Sequence, residues 1–182
     1  MVDSRLFRIG RASLFSLITV LSLVSFFGLA SADEIVDIPD EQMLNLKDMA
    51  GNDKKLHDYR IEGKWLVVMV WQSDCHICNQ EAKSYEAWFQ KNKSGSSTLI
   101  GISTDNWENR LAAQGFIDKH RVTFPNTLIS YEKLNEYYAN YVGQGFIGTP
   151  SFLLYAPSGE LMATQTGAVP TELIDQYIRK HS

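Results

Sequence analysis

Cys75 and Cys78 are the only cysteines of the 182-residue chain, and they lie three positions apart in "VWQSDCHICNQEAKSYEAW". Such a pair can hold a metal, carry a haem, staple a loop or exchange electrons as dithiol and disulfide. Tetrahedral zinc takes four ligands, usually from two close pairs. Only His57, His76, His120 and His181 are available to complete a set, and they form no second pair. Transient copper or zinc binding by the reduced thiols is the metal alternative. Covalent haem needs histidine directly after the second cysteine, where Asn79 stands. A bridge closing so short a loop adds little stability. Redox chemistry is the reading with positive support.

That support comes from the flanking elements. Residues 64–71, "KWLVVMVW", form a nearly unbroken β-branched and aromatic run, as expected of a strand buried on both faces of a parallel or mixed sheet. From Cys75 to about Lys93 the chain takes helical period, with Cys78, Ala82, Tyr85 and Phe89 on one face. Cys75 then sits at a helix N-terminus, where unpaired N–H groups and the helix dipole favour a thiolate. His76, when protonated, adds to this, and Asp74 opposes it. Cys78, one turn on and facing inward, is placed to resolve a mixed disulfide.

The remaining pattern supplies the scaffold. "MLNLKD" and "KKLHDY" flank the turn signal at residues 50–53 and read as a strand pair. "TLIGIST" (98–104) reads as a second buried strand. A helix follows, with Asp105 or Asn106 as its cap and Leu111, Phe116 and Ile117 among its apolar positions. "FPNTLIS" gives a short extended piece and "YEKLNEYYANY" a helix with a tyrosine-rich face. "PSFLLYA" and "LMATQTG" read as strands joined through a turn at 157–160. Residues 171–180 form a closing amphipathic helix started by Pro170. Strands alternating with helices, then a strand pair and a last helix, mean α/β with a mixed sheet.

The chain's beginning bears on its compartment. Arg5, Arg8 and Arg11 precede the apolar run "LFSLITVLSLVSFFGLA", and "ASA" at 30–32 supplies small residues before Asp33 and Glu34. That order marks residues 1–32 as a secretory signal peptide and 33–182 as one domain. An uncleaved segment would instead anchor the chain in the membrane. Removing three arginines and Asp3 takes the formal charge from −4 to −6. This acidic balance, without a basic run, argues against nucleic acid and anionic membrane surfaces. An exported chain meets an oxidising compartment, where disulfides persist.

A strand, then "WQSDCHIC", then a helix, and much later "GTPSFLLY" resembles the thioredoxin superfamily, in its exported TlpA/ResA-like branch. The resemblance implies a thioredoxin-like fold: a mixed central sheet flanked by helices, with an N-terminal β-hairpin extension. It implies a cis peptide before Pro150, facing the cysteines, with Thr149 and Pro150 presenting backbone to a substrate strand. Trp71 and His76 are expected on the same substrate face. Glu81 matches an acidic residue that the branch keeps beside its active site, where it would hold or shuttle a proton; a solvated surface glutamate is the plain alternative. Departures are Asp74, where an aromatic is usual, Met69 in place of the buried aspartate of cytoplasmic thioredoxins, and the His76-Ile77 dipeptide. "FIDKHRVTFPNTL" bears some likeness to peroxiredoxins, but Met69 and Val70 occupy the region of their expected proline.

The expected activity is thiol–disulfide exchange with protein disulfides in the periplasm, as reductase. The chain would act as a monomer, with no cofactor beyond the Cys75–Cys78 disulfide and with a membrane electron donor to recycle it. A disulfide-forming oxidase and a copper-binding chaperone for metalloenzyme assembly are the alternatives.

Overall fold

The computed structural model describes residues 44–182. The signal-peptide reading of residues 1–32, with its anchor alternative, lies outside the described residues. Seven strands form one sheet: β1 (Asn45–Asp48), β2 (Asp53–Lys55), β3 (Trp65–Trp71), β4 (Ser97–Ser103), β5 (Asn126–Leu128), β6 (Ser151–Tyr155) and β7 (Leu161–Thr166). Their order is β2-β1-β5-β4-β3-β6-β7. β3, β4 and β5 run parallel, and the pairs β1–β2, β1–β5, β3–β6 and β6–β7 are antiparallel. The helices are α1 (His76–Asn92), α2 (Arg110–His120), α3 (Tyr131–Tyr137) and α4 (Thr171–His181). This is the thioredoxin-like arrangement, with the N-terminal hairpin added at the β5 edge. Among the described residues no helix is long and apolar enough to cross a membrane.

β3 is central because both its faces are apolar. Trp65, Val67, Met69 and Trp71 point into one core with residues of α1, α2 and α4. Leu66, Val68 and Val70 point into the other, with Leu134 and Tyr137 of α3 and the hairpin's Leu46. Every residue of β3 is at most 2% exposed. Each buried aliphatic side chain here stabilises the fold by about 1.5–3 kcal/mol. The loop after it, which carries Cys75, is thereby mounted on a strand buried on both faces.

Two glycines mark close approaches. Gly51, at φ +95°, closes the β1–β2 turn, and a Cβ there would lie 2.7 Å from the Trp107 ring. Gly101 in β4 leaves room for Trp71 Nε1 to donate to Asn126 Oδ1 at 3.1 Å. A Cβ on Gly101 would come 2.7 Å from that nitrogen and closer still to the oxygen.

The structure refines several local expectations. Phe89 packs, partly buried, against the core face of α1 as expected, and Trp88 beside it is the more deeply buried of the two. The second hairpin strand is only three residues, because Leu56–Tyr59 turns into a 3-10 helix. α2 begins at Arg110, so Leu111 lies in its first turn and is 76% exposed. Asn106 does accept from the Asn109 N–H at 3.1 Å, but it caps the turn before α2. α3 ends early, passing into a π-helical turn at Tyr138–Val142 that buries Tyr138.

Candidate active site

The loop from Gln72 to Asp74 leaves β3 and delivers Cys75 as the N-cap of α1, with φ −66° and ψ 112°. A short side chain with an acceptor atom suits that position. The Cys78 N–H donates to Cys75 Sγ at 3.1 Å, and the two sulfurs are joined in a disulfide across a Cα–Cα distance of 5.2 Å. Cys75 is half-buried, while Cys78 is 0% exposed in the cluster containing Met69, Ala82, Tyr85 and Phe152. After reduction the two sulfurs would therefore differ. A thiolate at Cys75 keeps an aimed N–H donor and the positive end of a 17-residue helix. A thiolate at Cys78 would be desolvated among apolar side chains, which favours the neutral thiol.

Glu81 is half-buried one turn beyond Cys78. Its charge acts on Tyr85: burial first, and then Glu81, push the Tyr85 phenol up to about 12, against the opposing contact from Val169. The Tyr85 hydroxyl donates to the Val169 carbonyl at 3.0 Å and accepts from the Val169 N–H at 3.1 Å. Two residues earlier, the Gly167 N–H donates to the Pro150 carbonyl at 2.8 Å. One tyrosine thus ties α1 to the segment that supports Pro150.

The Thr149–Pro150 peptide is cis. Ser151 pairs with Val70 in antiparallel register, which puts Pro150 level with Trp71, at the end of β3 from which the Cys75 loop departs. The Gly148 carbonyl accepts from Ser151 Oγ at 2.5 Å and the Pro150 carbonyl from Gly167. Among the described residues, Thr149 is the one position of this turn whose backbone N–H and C=O have no internal partner. His76 and Ile77 are exposed beside the disulfide.

Trp71 is a correction. Its ring, expected on the substrate face, is 1% exposed and stacks on Phe116 with centroids 4.2 Å apart. Odd-numbered residues of β3 point beneath α1 and α2, so Trp71 supports the loop from inside and cannot meet a substrate.

Sequence reasoning missed the polar contacts around the Cys75 loop. Asp105, read as a helix cap, is 7% exposed. It accepts from the Ser73 N–H at 2.9 Å, Ser73 Oγ at 2.7 Å and Ser103 Oγ at 2.6 Å. Asn79, noted only for not being histidine, donates through Nδ2 to the carbonyls of Ser73 and Cys75, both at 2.9 Å. Asn79 Oδ1 accepts from Lys119 Nζ at 2.9 Å and lies 2.8 Å from His120 Nε2. Burial, and then the charges of Lys119 and Lys83, hold the His120 imidazole below its usual range. Because Asn79 Oδ1 can only accept, His120 meets it through an Nε2–H.

Among the described residues no three His, Cys, Asp or Glu side chains converge as metal ligands. A cleft of about 740 Å³ opens on the hairpin side, lined by Lys47, Trp107 and Lys133 among others, and touches neither cysteine.

The comparisons agree with this geometry. Residues 37–164 match the model of the AhpC/TSA family. The thiol-disulfide oxidoreductase ResA of Halalkalibacterium halodurans is 23% identical over 170 residues, 92% of this chain and 91% of that protein. StoA from Bacillus subtilis superposes with a TM-score of 0.56 at 21% identity, covering 75% of this chain and 96% of that one. A secreted Mycobacterium tuberculosis disulfide oxidoreductase superposes at 0.56 with 22% identity, covering 77% and 98%. With its Cys75–Cys78 disulfide as redox centre on a thioredoxin-like fold, the chain belongs to the AhpC/TSA family.

Proposed function

We propose that the chain is an exported thiol–disulfide oxidoreductase that reduces disulfides of partner proteins in the periplasm. One observation carries the reading: the leading cysteine is half-buried at a helix N-terminus, and its partner is sealed in the core one turn behind. In the reducing direction the Cys75 thiolate attacks one sulfur of the substrate disulfide. An enzyme–substrate mixed disulfide forms, and the other substrate sulfur leaves as a thiolate that takes a proton. Cys78 then loses its proton and attacks Cys75 Sγ. The second substrate thiol leaves, and the Cys75–Cys78 bond closes. Two electrons have passed from dithiol to substrate.

The parts near the disulfide fit these steps. Thr149 offers one N–H and one C=O, the pair that an extended substrate residue exchanges in an antiparallel bridge. Glu81 stands one turn beyond Cys78, where it would receive the resolving thiol's proton. The reducing direction rests on the resemblance to the TlpA/ResA branch, and it requires a membrane electron donor to restore the dithiol. Export rests on the pattern of residues 1–32.

Insulin reduction with dithiothreitol as donor tests the assignment. Cys75→Ser should abolish turnover, and Cys78→Ser should trap the substrate as a stable mixed disulfide. Wild-type turnover by Cys75→Ser would sink it. Equilibration with glutathione reads the direction: a potential near about −270 mV marks a reductant and one near about −120 mV an oxidant.

A further inference from the structure

We infer that Asn79 is a positioning residue for the Cys75 sulfur, acting with Asp105 as a two-sided clamp on the Ser73–Cys75 loop. The inference deepens the proposed function and rests on the same sulfur as nucleophile. The amide of Asn79 is fully used. Both Nδ2 hydrogens are taken by the carbonyls of Ser73 and Cys75, and Oδ1 takes donors from Lys119 and His120. Its orientation is forced, because the flipped amide would aim oxygen at two carbonyls and an N–H₂ at an ammonium. On the other side Asp105 holds the N–H and hydroxyl of Ser73. Every polar group of Ser73 is thereby bonded, two residues before the nucleophile.

In the oxidised protein the disulfide itself keeps Cys75 beside α1. Once that bond opens, the backbone conformation of Cys75, together with its χ1 rotamer, sets how its sulfur meets the Cys78 N–H. Two donors grip the Cys75 carbonyl, the backbone N–H of Asn79 at 3.0 Å and its side chain at 2.9 Å. Losing the side-chain bond leaves the helix intact but frees the loop ahead of it. Asn79 is half-buried, so water can replace its bonds to the two carbonyls. The consequence therefore appears in the reduced sulfur more than in global stability.

The test uses the purified protein with Cys78→Ser, so that only Cys75 reacts, and measures iodoacetamide alkylation from pH 4 to 9. Adding Asn79→Ala should slow alkylation at pH 6 by about tenfold and move the inflection toward that of a free cysteine, ~8.5. In the wild-type background the same change should move the glutathione equilibrium about tenfold toward the disulfide, ~30 mV for a two-electron couple. The urea midpoint of the oxidised protein should barely change. Ser73→Ala, which keeps the backbone bonds, should give a smaller change of the same sign. An Asn79→Ala protein with a lowered urea midpoint but unchanged alkylation profile and equilibrium would overturn the inference. Should wild-type protein fail to reduce insulin while Asn79→Ala still shifts the profile, the proposed function falls and the positioning role stands.

Discussion

Tyr85→Phe probes the connection between the cysteine helix and the segment supporting Pro150. The substitution removes one oxygen from a side chain that is 1% exposed, and with it the bonds to both the N–H and the C=O of Val169. Each lost bond costs about 0.5–1.5 kcal/mol, and more where the backbone group stays dry. Val169 is half-buried, so the expected loss is about 1.5–3 kcal/mol at pH 8. The same phenol provides a second, independent reading. Its pKa is raised from 10 to about 12, chiefly by burial, so between those values the folded state binds the proton that the unfolded state has released. Wild-type stability therefore falls as pH rises through this window, by up to about 2.7 kcal/mol. Phenylalanine has no proton to lose. Urea denaturation of both oxidised proteins at pH 8 and 11.5 should show the gap between them closing by about 2 kcal/mol. A gap that is absent at pH 8, or that stays constant to pH 11.5, would refute the assigned role of the hydroxyl.

Gly101→Ala should destabilise by about 2–4 kcal/mol, from overpacking and the displaced Trp71–Asn126 bond, measured as a urea midpoint shift at constant slope. Trp71→Phe keeps the stack on Phe116 and loses one hydrogen bond. It should cost about 1 kcal/mol and leave insulin reduction within about twofold, whereas a large rise in KM would restore Trp71 to the substrate face. Glu81→Gln should slow closure of the mixed disulfide by about 10²-fold if the carboxylate moves the Cys78 proton. Stopped-flow release of a chromogenic thiol reads that step, and an unchanged rate makes Glu81 a surface residue.

The residues around the disulfide were legible in the chain because capping and burial periodicity act over one or two turns. A buried apolar run, a break and a helical period place Cys75 at a helix start and Cys78 behind it whatever the rest of the fold does. The "GTP" turn carried enough resemblance to anticipate the cis peptide at Pro150. Inside those elements, single positions depended on neighbours that no local pattern names. Phe89 and Trp88 are both aromatic and both pack on the core, and the deeper of the two is Trp88, whose Nε1 donates to Asp175 of α4 at 2.7 Å.

The clamp belongs wholly to tertiary structure. Trp71 pairs with Ser103 in the parallel register of β3 and β4, so Ser73 and Asp105, two residues past each strand end, come together across 32 positions of sequence. A shift of one residue in that register would turn Asp105 away and leave Ser73 unheld. Asn79 meets His120 across 41 positions for a similar reason, since the docking of α2 on α1 decides which residues of its last turn face the site. Short-range chemistry chose the sulfur, and strand register together with helix docking built the grip around it.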